Sequence, residues 1–306
     1  MKSIQMHEIS GRLTVILAAS AIISSAVEGQ SRLTISPANP APGAIVRLTL
    51  VNSGATGDST VGITGRMSGE ELHFRKASDN TWRAVAPIKV DAVGDVVAEV
   101  VVERSSGVVD SVNAIATLPK PIPAKSRGRS RAPALAVPQL FTRPMSAETQ
   151  ARIERENATA RELGRKAHAT PPMWTASFLR PRDATITSRF GTGRIFNGTL
   201  SSRHLGVDFR GVTGSPVVAA NRGIVALVDA FFLAGNVVYI DHGGGIVTAY
   251  FHLSKTLVAT GDTVERGQEI GLVGATGRVT GPHLHWSARY GQVTVNPLDL
   301  LTAANP

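Results

Sequence analysis

Five of the eight histidines in this 306-residue chain fall between residues 204 and 285. His204 and Asp208 stand four apart in His204-Leu205-Gly206-Val207-Asp208, and His283 and His285 stand two apart in His283-Leu284-His285. In an extended strand both spacings place the pair on one face, so imidazoles and a carboxylate can converge on one ion. His252 closes a β-rich run, Tyr250-Phe251-His252-Leu253, between these two elements. Zn²⁺ accepts His nitrogen and Asp oxygen, and a catalytic site keeps one of its four positions for water. Two neutral imidazoles and one carboxylate leave a net positive centre, which brings the pKa of bound water to ~7. A histidine outside the coordination shell could then take the proton, and another could hydrogen-bond an oxyanion. Three ligands and two free histidines would form a complete hydrolytic set. Spacing alone does not divide the ligands from the free histidines, because His283 could equally be a ligand.

Other chemistries find no support. The chain has no cysteine, which removes disulfides, thiolate metal sites and a catalytic thiol. The sole His-Glu pair, His7-Glu8, is not followed by the second histidine of a His-Glu-x-x-His helix. The glycine-rich stretch from Gly274 to Gly281 lacks the Gly-Lys-Ser/Thr of a phosphate-binding loop and reads as a tight loop leading into the His283 strand. No Gly-x-Ser-x-Gly elbow occurs. His242, in Asp241-His242-Gly243-Gly244-Gly245, reads as a structural hydrogen-bonding residue in a turn. His73, beside Glu70 and Glu71, reads as part of a surface turn.

The elements that must position these residues are mainly β. From residue 173 to 306, short apolar runs such as Ile224–Val228, Val237–Ile240 and Ile246–Leu253 are punctuated by glycines, as in a compact antiparallel domain. Residues 29–119 alternate Val/Ile/Leu/Thr runs with Gly, Pro, Asn and Asp clusters, the pattern of a small Ig-like sandwich. Residues 120–144 carry six basic and no acidic residues among repeated prolines, which marks a linker. One helix is expected within 145–172: Ser146 can cap it, Glu148–Arg152 and Glu162–Lys166 are spaced for ion pairs, and Pro171-Pro172 stops it. Its apolar face is thin, so it should pack peripherally. Residues 1–28 read as an export signal, with Lys2 and Arg12 ahead of an apolar core too short for the ~20 residues a membrane span needs.

At these residues the sequence resembles the lysostaphin-type, LytM-like zinc metalloendopeptidases that hydrolyse peptidoglycan, in the Gram-negative style with an N-terminal β domain. The resemblance rests on Ser188-Arg189-Phe190-Gly191, His204 to Phe209, Gly235 to Gly243, Tyr250 to Leu253 and Thr280-Gly281-Pro282-His283-Leu284-His285-Trp286. It implies a barrel-like β domain of the duplicated hybrid motif type. It also implies that His204, Asp208 and His285 ligate Zn²⁺, that His283 is the general base and that His252 stabilises the transition state. The implied substrate is the peptide stems of peptidoglycan, cut at D-alanyl-diaminopimelate cross-links, and the implied location is the periplasm or cell envelope.

The formal net charge of +9 comes mostly from the 120–144 segment and by itself would suit any acidic polymer. No nucleic-acid partner and no stable membrane span after signal removal are expected. A regulatory protein partner is conceivable but no residue identifies it. Two competing classes are a catalytically silent wall-binding regulator, which would lack ligands, and a lipoyl-type carrier, which would need a lysine at a hairpin tip beside Met or Asp. The ligand set is complete, and Lys255 has no such neighbour.

Overall fold

The computed structural model describes residues 31–51, 58–77, 79, 81–120, 134–141, 144–196 and 200–304. The expected export signal lies outside these residues. Among them no helix is long and apolar enough to cross a membrane.

The N-terminal part packs two four-stranded sheets face to face. Its strands are β1 (Arg32–Ser36), β2 (Ile45–Val51), β3 (Thr60–Met67), β4 (Glu70–Glu71), β5 (Arg75–Lys76), β6 (Trp82–Pro87), β7 (Asp95–Arg104) and β8 (Val109–Thr117). The sheet orders are β1-β2-β6-β5 and β4-β3-β7-β8. Strand periodicity explains the packing: along β7, Ala98, Val100 and Val102 point inward while Glu99 and Glu103 point out. They meet Val46, Leu48 and Leu50 of the facing sheet in one core.

The segment between sandwich and helix is not only a linker. Ala134–Leu135 (β9) pairs in parallel with β11 (Gly193–Phe196), which also pairs with β12 (Leu200–Arg203). Helix α1 covers Ala147–Lys166. The Ser146 hydroxyl accepts the Thr149 N–H at 3.1 Å, the cap that the sequence called for. Arg152 pairs with Glu156 rather than Glu148, because Glu156 also accepts the Phe232 backbone N–H. The helix can lie close to the C-terminal domain because residue 164 is glycine: a Cβ there would sit 1.8 Å from the Gly291 carbonyl oxygen.

The C-terminal domain continues with β10 (Ile186–Ser188), β13 (Val207–Arg210), β14 (Pro216–Val218), β15 (Gly223–Phe231), β16 (Gly235–Gly243), β17 (Ile246–Thr256), β18 (Thr263–Val264), β19 (Glu269–Val273), β20 (His283–Tyr290) and β21 (Val293–Val295), then the short helix α2 (Leu300–Ala303). The main path is β10-β13-β20-β17-β16-β15-β18, and β19 bridges β14 and β17. All these pairings are antiparallel, as expected. Central strand β17 is buried on both faces from Ile246 to Tyr250, which explains its unbroken apolar run. Phe209, Tyr250, Leu284 and Trp286 fill the core directly behind the histidine-bearing positions.

His73 does not lie in a surface turn. Its Nε2 is 2.8 Å from His168 Nδ1, the two rings stack at 5.1 Å, and His168 Nε2 meets Glu70 at 3.0 Å. The cluster joins the sandwich to the end of α1 and to Tyr290, whose hydroxyl donates to the Glu71 carbonyl. Contacts between residues about a hundred positions apart leave no local signature.

His242 is fully buried, with Nδ1 2.7 Å from the Arg222 carbonyl and Nε2 2.8 Å from the Thr248 hydroxyl. Burial pushes its pKa down to about 4, against an ordinary 6.5. Between those values the unfolded chain binds the extra proton and the folded chain does not, so stability rises with pH through that window. We expect unfolding free energy to drop by up to roughly 3 kcal/mol on going from pH 7 to pH 4. Denaturant titrations at both pH values should show this drop, and His242→Gln should reduce it.

Candidate metal centre

His204 follows β12, Asp208 lies in β13 and His285 in β20, where antiparallel register sets Asp208 directly opposite His285. The three are buried, and one ligand atom from each lies within 4.8 Å of the others. Asp208 Oδ1 is 3.0 Å from His204 Nε2 and 2.9 Å from His285 Nδ1, and those two nitrogens are 2.9 Å apart. His204 Nδ1 faces the Arg189 carbonyl at 3.0 Å, so the ring carries a hydrogen there and Nε2 is the atom turned toward the carboxylate oxygen. Two imidazole nitrogens and a carboxylate oxygen converging at these distances form a set that could hold a cation. Two nitrogens and one oxygen suit a divalent transition metal.

The protonation states agree. Burial pushes His285 down to about 4, against the pull of Asp208, leaving a neutral imidazole at neutral pH. Burial of Asp208 opposes its ionisation, yet its close contacts with His204 and His285 hold its carboxyl far below the usual carboxylate range. The arrangement also depends on Gly206, where a Cβ would stand 2.4 Å from His285 Nε2.

The remaining two histidines flank the cluster. His283 sits two residues before His285 on β20, with Nδ1 2.8 Å from the Gly281 carbonyl and Nε2 3.7 Å from Asp208 Oδ1. His252 arrives by a less regular route. Between Leu253 and Tyr250, β17 uses one more residue than the facing β16, and His252 takes φ +64°, a left-handed conformation unusual for a non-glycine residue. This bulge turns two consecutive side chains toward the site: Phe251 stacks on His285 at 5.2 Å, and the His252 ring is 5.0 Å from that of His283. His252 Nδ1 bonds the Thr276 carbonyl at 2.8 Å, and burial, then His285 and His283, keeps the ring neutral well below its ordinary pKa. In that state Nε2 is an acceptor. The donor role implied for His252 therefore belongs only to its imidazolium form.

All five sequence-selected residues are brought together, and His242 and His73 lie elsewhere. Three contributors carried no chemical spacing signal. Ser188 lies 3.0 Å from His204 Nδ1. Arg194 donates to Asp208 Oδ2, leaving Oδ1 to face His204 and His285, and to the Ser188 hydroxyl. Arg278 lies over the Phe196 ring at 4.3 Å. The cluster opens into two cavities, of about 290 Å³ on the side walled by α1 and about 580 Å³ on the side of Arg189 and Arg210.

The model of peptidase family M23 matches residues 202–297, which span all five residues. That segment belongs to peptidase family M23. The peptidoglycan DD-endopeptidase ShyA of Vibrio cholerae is 47% identical over 102 residues, which are 33% of this chain and 24% of that protein. The DD-carboxypeptidase/endopeptidase Mpg of Neisseria meningitidis is 42% identical over 97 residues, 32% of this chain and 22% of that protein. The chain thus spans about a quarter of the length of these curated relatives. A solved Pseudomonas aeruginosa structure, described as a candidate M23 peptidase, superposes with a TM-score of 0.61 at 25% identity and covers 87% of this chain and 96% of that one. The likeness therefore extends well beyond the M23 segment.

Proposed function

We propose that the chain is an exported zinc metalloendopeptidase of the cell envelope that hydrolyses peptide cross-links of peptidoglycan at D-alanyl-diaminopimelate bonds. The observation that supports it is a buried His204–Asp208–His285 cluster with two further imidazole Nε2 atoms facing an open groove. A silent regulator would have no need of the full set. His204, Asp208 and His285 would hold the metal. Bound there, zinc supplies a Lewis acid that polarises a carbonyl and lowers the pKa of water.

The chain's own residues do the rest. The Gly281 carbonyl fixes the His283 tautomer, so Nε2 is free to accept the proton of the attacking water and pass it to the leaving amine. His252, neutral and held by Thr276, offers a second acceptor that orients the same water. Arg194 holds the second oxygen of Asp208 and keeps that carboxylate in place. Incubation of a purified cross-linked muropeptide dimer with the full chain should yield two monomers whose summed mass exceeds the dimer by one water. Release of sugar fragments with the peptide bond intact would refute the reading.

A further inference from the structure

The 580 Å³ side of the groove is lined by four arginines, Arg189, Arg194, Arg210 and Arg278, and by one acid, Asp208. Arg194 answers Asp208. The others leave the cavity positive even before a metal adds its charge, so the groove is built for an anion.

Among these arginines Arg278 is the informative one. It is half-buried, with its guanidinium stacked on Phe196, and it lines the cavities on both sides of the metal cluster. Among the described residues no carboxylate lies near enough to favour its charge; burial and Arg194 both work against it. A guanidinium partly withdrawn from water without a counter-charge carries a desolvation cost that an anionic ligand would offset. Its backbone is also fixed. The Arg278 N–H donates to the Leu233 carbonyl at 2.8 Å, and the same loop supplies the Thr276 carbonyl that holds His252. Whatever Arg278 binds therefore lies beside the reacting groups.

We propose that Arg278 binds a carboxylate carried on the α-carbon next to the scissile nitrogen, so that the groove selects cross-links in which the leaving nitrogen sits beside a free carboxylate. This rests on the endopeptidase reading. In a D-alanyl-diaminopimelate cross-link the carbon bearing the leaving nitrogen also carries a free carboxylate, whereas in a glycine bridge the carbonyl on that carbon is an uncharged amide. The planar fork of Arg suits a carboxylate bidentately, and stacking on Phe196 presents that fork edge-on.

The test uses zinc-loaded full chain and two synthetic D-alanyl-diaminopimelate peptides that differ only in that carboxylate, free in one and a carboxamide in the other. The wild-type protein should show kcat/KM lower by about 10–100-fold for the amide, the scale of one charge-assisted hydrogen-bonded pair. Arg278→Gln should treat both peptides alike at the lower rate, and Arg278→Lys should retain part of the preference. Calorimetric titration of zinc-loaded His283→Ala with the same peptides reads the preference without turnover. Equal binding of the two peptides by zinc-loaded His283→Ala, or a preference undiminished in Arg278→Gln, would overturn the proposal. A binding preference with neither peptide cut would sustain the Arg278 subsite and sink the endopeptidase reading instead.

Discussion

His204→Ala is expected to lose both the metal and the activity. His204 would supply one of three ligand atoms and shares Asp208 Oδ1 with His285, so its removal would leave a two-residue site with a buried carboxylate. The carboxylate would still meet Arg194 and His285, which should keep the domain folded. A metal's contribution to transition-state charge stabilisation is several kcal/mol, so hydrolysis should fall by at least about 10³-fold. Metal content after dialysis, read by mass spectrometry, should drop from one equivalent to none. Retention of a full equivalent would mean that the ligand set has been drawn wrongly.

His283→Ala separates the metal from the proton transfer. The ring lies near Asp208 Oδ1, at 3.7 Å, but outside the tight three-residue cluster, and its Nδ1 is committed to a backbone carbonyl. The variant should keep one equivalent of metal while its turnover falls by about 10²–10⁴-fold, the range for a general base. The loss should appear in kcat more than in KM, because the proposed role of the side chain is on the attacking water rather than on the peptide. Loss of metal together with activity would place His283 among the ligands and release His285.

The parts of this site legible in the sequence are those governed by strand periodicity. Asp208 four residues after His204, and His285 two after His283, needed only extended backbone and one antiparallel register to meet. Alternation in β7 and the continuous apolar run of β17 gave the sandwich and the central strand for the same reason. His252 was visible as a residue, but its entry into the site depends on a bulge and a left-handed backbone that periodicity does not encode. Its tautomer follows from the Thr276 carbonyl, brought by a loop over twenty residues away. Arg278 and Arg194 were invisible because a lone arginine carries no spacing signal, and their roles arise from Phe196 and Asp208 across the fold. The junction of His73, His168 and Glu70 was hidden by sequence distance alone.

The most direct test of the central claim is digestion of purified diaminopimelate-type sacculi by the full chain, with and without a zinc chelator, reading released muropeptides by mass. Conversion of cross-linked dimers to monomers that stops with chelator and returns with one equivalent of zinc is the predicted result. Conversion that persists unchanged after the metal has been stripped, or absence of any conversion by protein carrying one zinc, would contradict it.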